Sequence, residues 1–209
     1  MMSPRSSILP LLGRNRVIPV LAFNSVAEGL AVIDALADGG VSVAEVTLRT
    51  ASGLEAIRAI ADERPDILVG AGTVLSPRDV EACLKAGARF LVTPGTTPSL
   101  REALAEVPVP VLPGAATVSE MLTLAELGFA ELKFFPAAAA GGLDYLKGVA
   151  GPCPHLRFCP TGGIGPGNMA DYLALKTVFA VGGSWLTPAA AIAAGDWAAI
   201  TQLARQATR

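Results

Sequence analysis

The chain has 209 residues, enough for one domain with a sizeable core, and 52% of them are hydrophobic against 16% charged, which excludes a disordered chain. With 16 Lys and Arg against 18 Asp and Glu the net charge is -2, which leaves no broad basic surface for nucleic acid or an anionic membrane. No apolar run reaches the roughly 18 residues that a membrane span needs.

The leading stretch MMSPRSSILPLLGRNR carries arginine and serine without acids, but its apolar part is too short for a secretory core. It reads as a short helix or arm, residues 1–15, in front of a single domain that takes in the whole chain, 1–209. From Arg16 on, short β-branched or apolar runs alternate with helical periodicity. RVIPVLAF precedes SVAEGLAVIDALADGG, VAEVTLR precedes SGLEAIRAIADERP, ILVGAGTV precedes SPRDVEACLKAGA, and RFLVTPG precedes TPSLREALAEVP. PVLPGAA then precedes TVSEMLTLAELG, ELKFFPA precedes GGLDYLKGVAG, RFCPTGG precedes GPGNMADYLAL, and TVFAVGGSW precedes PAAAIAAGDWAAITQLARQ. Several of these helices open on a Ser or Thr N-cap and close on a glycine turn, as at Gly39, Gly87 and Gly128. Alternating strands and helices imply a parallel sheet buried on both faces, and eight units predict a closed (β/α)8 TIM barrel. An open doubly wound sheet is the alternative, but VLAFNS after the first strand lacks the GxGxxG that such a sheet would carry.

Strand alternation singles out residues that do not suit a core. In EVTLR it sets Glu45, Thr47 and Arg49 on one side and Val46 and Leu48 on the other. The apolar side must face the helices, so the polar three point into the barrel. In ELKFF the same rule turns Glu131, Lys133 and Phe135 inward, away from Leu132 and Phe134. The other lysines, Lys85, Lys147 and Lys176, fall in helical or helix-end positions where a solvated role is the default. A structural lysine at 133, neutralised by Glu45 or Glu131, is one reading.

The other is chemical. A neutral amine in an apolar setting attacks a ketone to form an iminium, an electron sink that lets a neighbouring carbon–carbon bond break. A lysine with the reference pKa of about 10.4 is well under about one per cent neutral at pH 7, so the chemistry calls for the apolar frame LKFFP. Proton transfer falls to Glu45, because the single histidine, His155, precedes the seventh strand at the far end of the barrel. Arg49, nearer the C-terminal end of its strand, suits a substrate carboxylate. The glycine pairs Gly162–Gly163 and Gly182–Gly183, with Ser184, end the last two strands, where barrels of this kind gather backbone N–H groups around a phosphate. No metal or other cofactor is expected.

Three cysteines, Cys83, Cys153 and Cys159, form no CxxC pair and, being odd in number, no disulfide framework. They read as reduced thiols in a cytoplasmic protein whose partner is a small molecule or another copy of the chain.

EVTLRT, VGAGTVLSP, ELKFFPA, FCPTGGIGPGN and VGGSWL together resemble the class I KDPG/KHG aldolases from about Val17 to the C-terminus. The resemblance implies a homotrimeric, metal-independent (β/α)8 barrel that splits 2-dehydro-3-deoxy-6-phosphogluconate into pyruvate and glyceraldehyde 3-phosphate. It implies Lys133 as the Schiff-base residue and Glu45 as general acid/base, with Arg49 and Thr73 on the pyruvate carboxylate. Pro94 and Phe135 would shape the pyruvoyl pocket, Thr161 would sit at the cleaving bond, and Gly163, Gly183 and Ser184 would bind phosphate. The run PAAAA after FFP departs from the PAEA of many relatives. Rival readings are an aldolase for the galactonate-derived epimer and a silent barrel that binds a phosphorylated metabolite. A metal-dependent epimerase would need more ligands than one histidine and its neighbours offer.

Overall fold

A computed structural model describes residues 5–208. Helix α1 (Leu9–Leu12) leads into β1 (Val17–Leu21), α2 (Val26–Asp38), β2 (Val43–Thr47), α3 (Gly53–Glu63), β3 (Leu68–Gly72) and α4 (Pro77–Lys85). These are followed by β4 (Leu91–Val92), α5 (Pro98–Ala105), β5 (Val111–Leu112), β6 (Gly114–Ala115) and α6 (Val118–Glu126). The chain ends with β7 (Glu131–Phe134), α7 (Gly142–Ala150), β8 (Arg157–Pro160), α8 (Met169–Leu173), β9 (Val181–Gly183), α9 (Ala189–Ala194) and α10 (Trp197–Ala207).

Every strand pair is parallel. Six strands, in the order β5-β4-β3-β2-β1-β9, form a sheet curled into half a barrel, and β6-β7-β8 form a second, three-stranded sheet. The fold is therefore α/β with parallel strands. The expected fifth strand is the one that divides: Pro113 has no N–H to give, so β5 pairs with β4 on one side of it and β6 with β7 on the other. The Pro113 carbonyl accepts a 3.0 Å hydrogen bond from the Lys133 amide. At the opposite seam single bridges join Phe158 to Val178 and Thr161 to Gly182.

The strand alternation read from the sequence holds. Ala44, Val46, Val69, Ala71, Leu132, Phe134 and Phe158 belong to the core between strands and helices. A smaller core on the other side of the sheet gathers Ile18, Val43, Leu68, Phe90, Leu112, Cys159 and Ala180, at the starts of the strands and on the inner side of β8. Ile8 and Leu12 of the leading segment pack into that inner cluster and close its floor. Glu131, at the first position of β7, holds them there. Its carboxylate accepts hydrogen bonds from the Ser7 hydroxyl and, at 2.9 Å, from the Ile8 amide. Residues 1–4 of the predicted arm lie outside the described residues.

Caps fix the loops at the other end of the strands. Ser25, Ser76, Thr97 and Thr117 each accept a hydrogen bond from the amide three residues on, and at Ser76 and Thr117 an acid, Asp79 or Glu120, closes a reciprocal capping box. Ser52 does not cap α3. Its backbone is helical and its hydroxyl donates to the Asn24 carbonyl instead. The last predicted helix is two helices, because Gly195 turns left-handed at φ 64 and Asp196 recaps the chain for α10.

Glu131→Ala should strand the Ser7 hydroxyl and Ile8 amide and loosen the floor. Hydrogen bonds to a charged acceptor contribute about 1.5–3 kcal/mol each, and half-burial lowers that, so a loss of about 1–3 kcal/mol is expected. Urea unfolding curves of the two proteins check it, and an unchanged midpoint would mean that the segment holds by its apolar contacts alone.

Candidate active site

Glu45 stands at the middle of β2, aligned with Val20 of β1 and Gly70 of β3. Lys133 is the third residue of β7, aligned with Gly114 of β6 and Cys159 of β8. The two therefore come from different sheets. Their side chains meet across the inner space, Lys133 Nζ donating to Glu45 Oε1 at 2.9 Å, with the residues 5% and 3% exposed. Of the two carboxylates that could neutralise the lysine, it is Glu45 that does so; Glu131 is occupied at the floor. The other three lysines are exposed, and Lys147 makes only a surface pair with Asp144.

Room for the pair comes from what is missing beside it. The Glu45 carboxylate lies where a Cβ on Gly72 would be, so any larger residue there would displace it. The Phe135 ring centroid is 5.6 Å from Lys133 Nζ, close enough for the ring face to favour a cation. Phe135 itself lies one residue beyond the end of β7 and is half-buried. Pro94 reaches the lysine indirectly: its backbone lies against Gly114, the strand neighbour of Lys133.

Arg49 is not in a strand, contrary to the sequence reading. β2 ends at Thr47, and Arg49 is exposed in the turn that follows. Its Nε donates to the Thr47 hydroxyl at 3.1 Å, and that hydroxyl donates to the Leu21 carbonyl at 2.8 Å. Thr73, the residue after β3, has φ 59, a conformation that a β-branched side chain adopts only under strain, and it is half-buried. Both stand at the C-terminal ends of strands. A cleft of about 760 Å³ opens at this end between Val20, Ala22, Arg49, Ser184, Thr187 and Ile192, while Lys133 and Glu45 are buried and are not among its lining residues.

Thr161, buried, follows β8, and its hydroxyl occupies the space that a Cβ at Gly182 would take. Gly162 and Gly163 have φ 102 and 76. The Gly162 carbonyl accepts from the Ala138 amide, that of Gly163 from Asn168 Nδ2, and that of Ser184 from the Thr187 amide. In a planar trans peptide the N–H points opposite to the C=O. The amides of Gly163, Ile164 and Trp185 are thus turned away from those partners. Gly183 lies beneath the Trp185 ring, and Ser184 is exposed at the cleft. Among the described residues no hydrogen bond joins the Gly163 turn to Ser184; the Thr161–Gly182 bridge is what relates them. His155 is exposed in the turn before β8.

Three features were not read from the sequence: the space at Gly72, the bond from Arg49 to the Thr47 hydroxyl, although Thr47 itself was read as inward, and the place of Cys159 beside Lys133. Thr47 and Cys159 share the inward parity of Glu45 and Thr161, which was the available signal.

The KDPG and KHG aldolase family model matches residues 8–203. The chain belongs to that family. It is 48% identical to the KHG/KDPG aldolase of Escherichia coli over 203 residues, 97% of this chain and 95% of the relative. Among solved structures it resembles a Legionella pneumophila KDPG aldolase with pyruvate captured as a covalent carbinolamine intermediate, at TM-score 0.94 and 40% identity over 97% of this chain and 98% of that one. It also resembles the 2-keto-3-deoxy-6-phosphogluconate aldolase of Zymomonas mobilis with 3-phosphoglycerate, at TM-score 0.89 and 40% identity over 96% and 94% of the two chains.

Burial pushes the Cys159 thiol up to about 12, with nearby Lys133 pulling the other way and Glu45 adding to the rise. Cys83 is likewise pushed up to about 12, mainly by burial. Both stay protonated at pH 8, and thiolate is the reactive form. Iodoacetamide at pH 8 should leave both unmodified in the folded protein and label them after denaturation, as peptide mass spectrometry would show. Rapid labelling of folded Cys159 would mean that the inner space is open to solvent.

Proposed function

We propose that the protein is a class I aldolase that reversibly cleaves 2-dehydro-3-deoxy-6-phosphogluconate to pyruvate and D-glyceraldehyde 3-phosphate, with lesser activity on 4-hydroxy-2-oxoglutarate. The observation that carries this reading is the one buried lysine among the described residues, held 2.9 Å from a buried carboxylate in a chain of this family.

In this reading Glu45 takes a proton from the Lys133 ammonium along the bond that already joins them. The freed amine adds to the C2 ketone to give a carbinolamine. Glu45 returns the proton to the carbinolamine hydroxyl, which leaves as water, and an iminium remains. Glu45 then accepts the C4 hydroxyl proton. The C3–C4 bond breaks, its electron pair passes into the iminium, and an enamine and an aldehyde result. Protonation of the enamine at C3 and addition of water release pyruvate and restore the lysine. One carboxylate can serve every transfer only if it stays beside the nitrogen, which the space at Gly72 permits.

Arg49 and Thr73 bind the carboxylate, Pro94 and Phe135 bound the pyruvoyl methyl, and Thr161 lies at the cleaving bond. Gly162, Gly163, Gly183 and Ser184 hold the phosphate, with the outward amides after Gly162 and Gly163 supporting that assignment. The seam at Pro113 and the bridges Phe158–Val178 and Thr161–Gly182 support closure of the two sheets into one (β/α)8 barrel forming a single domain over 1–209. Family membership supports a homotrimer. No helix among the described residues is long and apolar enough to cross a membrane, and the cysteines are free, which supports a cytoplasmic setting.

Pyruvate with borohydride should add one lactyl group per chain, on Lys133, as peptide mapping would locate. Labelling at Lys85, Lys147 or Lys176, or none, would end the Schiff-base reading. Glu45→Gln should lower turnover by roughly 10²–10⁴-fold with a much smaller effect on substrate binding.

The phosphate assignment predicts a preference. Each hydrogen bond lost to a charged group costs about 1.5–3 kcal/mol, so without its phosphate the sugar acid should show kcat/KM at least about a hundredfold lower. Equal kcat/KM for the two would leave the glycines as turns and nothing more.

A further inference from the structure

Thr47 is fully inward on β2, buried, and so far without a part in the chemistry. A threonine hydroxyl has one proton to give. Here that proton goes to the Leu21 carbonyl on the neighbouring strand, at 2.8 Å. The oxygen is left only as an acceptor, and the group that meets it, Arg49 Nε, can only donate. The polarity of the chain Arg49 to Thr47 to Leu21 is thus fixed by the strand pairing beneath it. The first link is the one hydrogen bond that Arg49 makes among the described residues, and it uses the Nε–H alone. The two terminal nitrogens remain for a ligand in the cleft that Arg49 lines.

This bears on a weakness of the site. Arg49 sits in an exposed turn, and a free arginine loses much rotamer entropy when it is held in one geometry. Two parallel hydrogen bonds to a carboxylate need the guanidinium plane set in advance.

We propose that Thr47 is the positioning residue for Arg49: its buried hydroxyl pins Nε and turns the terminal nitrogens toward the carboxylate of the 2-oxo acid. The proposal rests on the reading of Arg49 as the carboxylate-binding group. Thr47 touches no substrate; it acts through the arginine, and Leu21 on β1 acts through Thr47. The reach of the site therefore extends into the backbone of the first strand.

The test compares Thr47→Val, which keeps the shape and loses the hydroxyl, with Thr47→Ser, which keeps the hydroxyl. Borohydride trapping is measured as a function of pyruvate concentration and, separately, with acetone, which has the ketone but no carboxylate. Thr47→Val should raise the half-saturating pyruvate concentration by about tenfold, leave acetone trapping as in the wild type, and have no further effect in an Arg49→Ala background. Thr47→Ser should restore pyruvate to within about threefold of the wild type. A fall in acetone trapping, a full additional loss on top of Arg49→Ala, or failure of serine to rescue would overturn the proposal in favour of a purely structural role. A readout independent of chemistry is the Arg49 Nε–H signal in nitrogen-15 NMR, assigned by its loss in Arg49→Lys. It should be protected from exchange in the wild type and in Thr47→Ser and unprotected in Thr47→Val. If the wild type forms no pyruvate adduct at all, the Schiff-base reading fails, and the Nε–H exchange still decides whether Thr47 holds Arg49; equal exchange in all three proteins would overturn the anchor.

Discussion

A buried ammonium and a buried carboxylate, each far too costly to desolvate alone, meet across the inside of this protein, and much of the structure around them serves to keep them together. Lys133 and Glu45 lie 88 residues apart in the chain and on different sheets. Removing one partner of such a pair typically costs about 3–5 kcal/mol, because the other is left charged in a poor solvent. Each sheet carries one of the two groups, so the pair forms only where the sheets meet. The break at Pro113 and the single bridges Phe158–Val178 and Thr161–Gly182 lie where the two sheets adjoin.

The same strands divide the labour by parity. Outward positions on β2 and β7 carry Ala44, Val46, Leu132 and Phe134 into the helical layer and supply the burial that offsets the pair. Inward positions carry Glu45, Thr47 and Lys133. Cys159, on the same inner side, fills space beside the lysine as a neutral thiol. Stability and chemistry thus share strands without sharing side chains, and the Ser25 cap sets the turn that brings Asn24 and Glu28 to the wall of the cleft.

Parity was legible in the sequence because it is local. EVTLR and ELKFF state their alternation within five residues, and the Ser and Thr caps lie beside the helices that they start. What depends on distance was not legible. Nothing near Lys133 says which of two glutamates it will meet, and the choice of Glu45 follows from how the sheets come together. Gly72 reads as one more small residue until the carboxylate is found against it. Local breaks were also missed: β2 stops at Thr47, which puts Arg49 in a turn, and the alanine-rich C-terminal run conceals the left-handed Gly195. Strand β4 and the two halves of the fifth run are only two residues long, and the fifth run divides at Pro113, which has no N–H for the ladder.

Ile8 and Leu12 join the inner cluster at the starts of the strands, the end away from the cleft that Arg49 and Ser184 line. In the proposed mechanism forming the iminium releases water and breaking it consumes water, so Lys133 would have to alternate between dry and wet. With apolar side chains packed at the starts of the strands, solvent and substrate would share the approach from the cleft. On that reading an occupied cleft would keep water from the nitrogen, and an emptied one would readmit it. The timing of hydration would then follow the ligand's own coming and going.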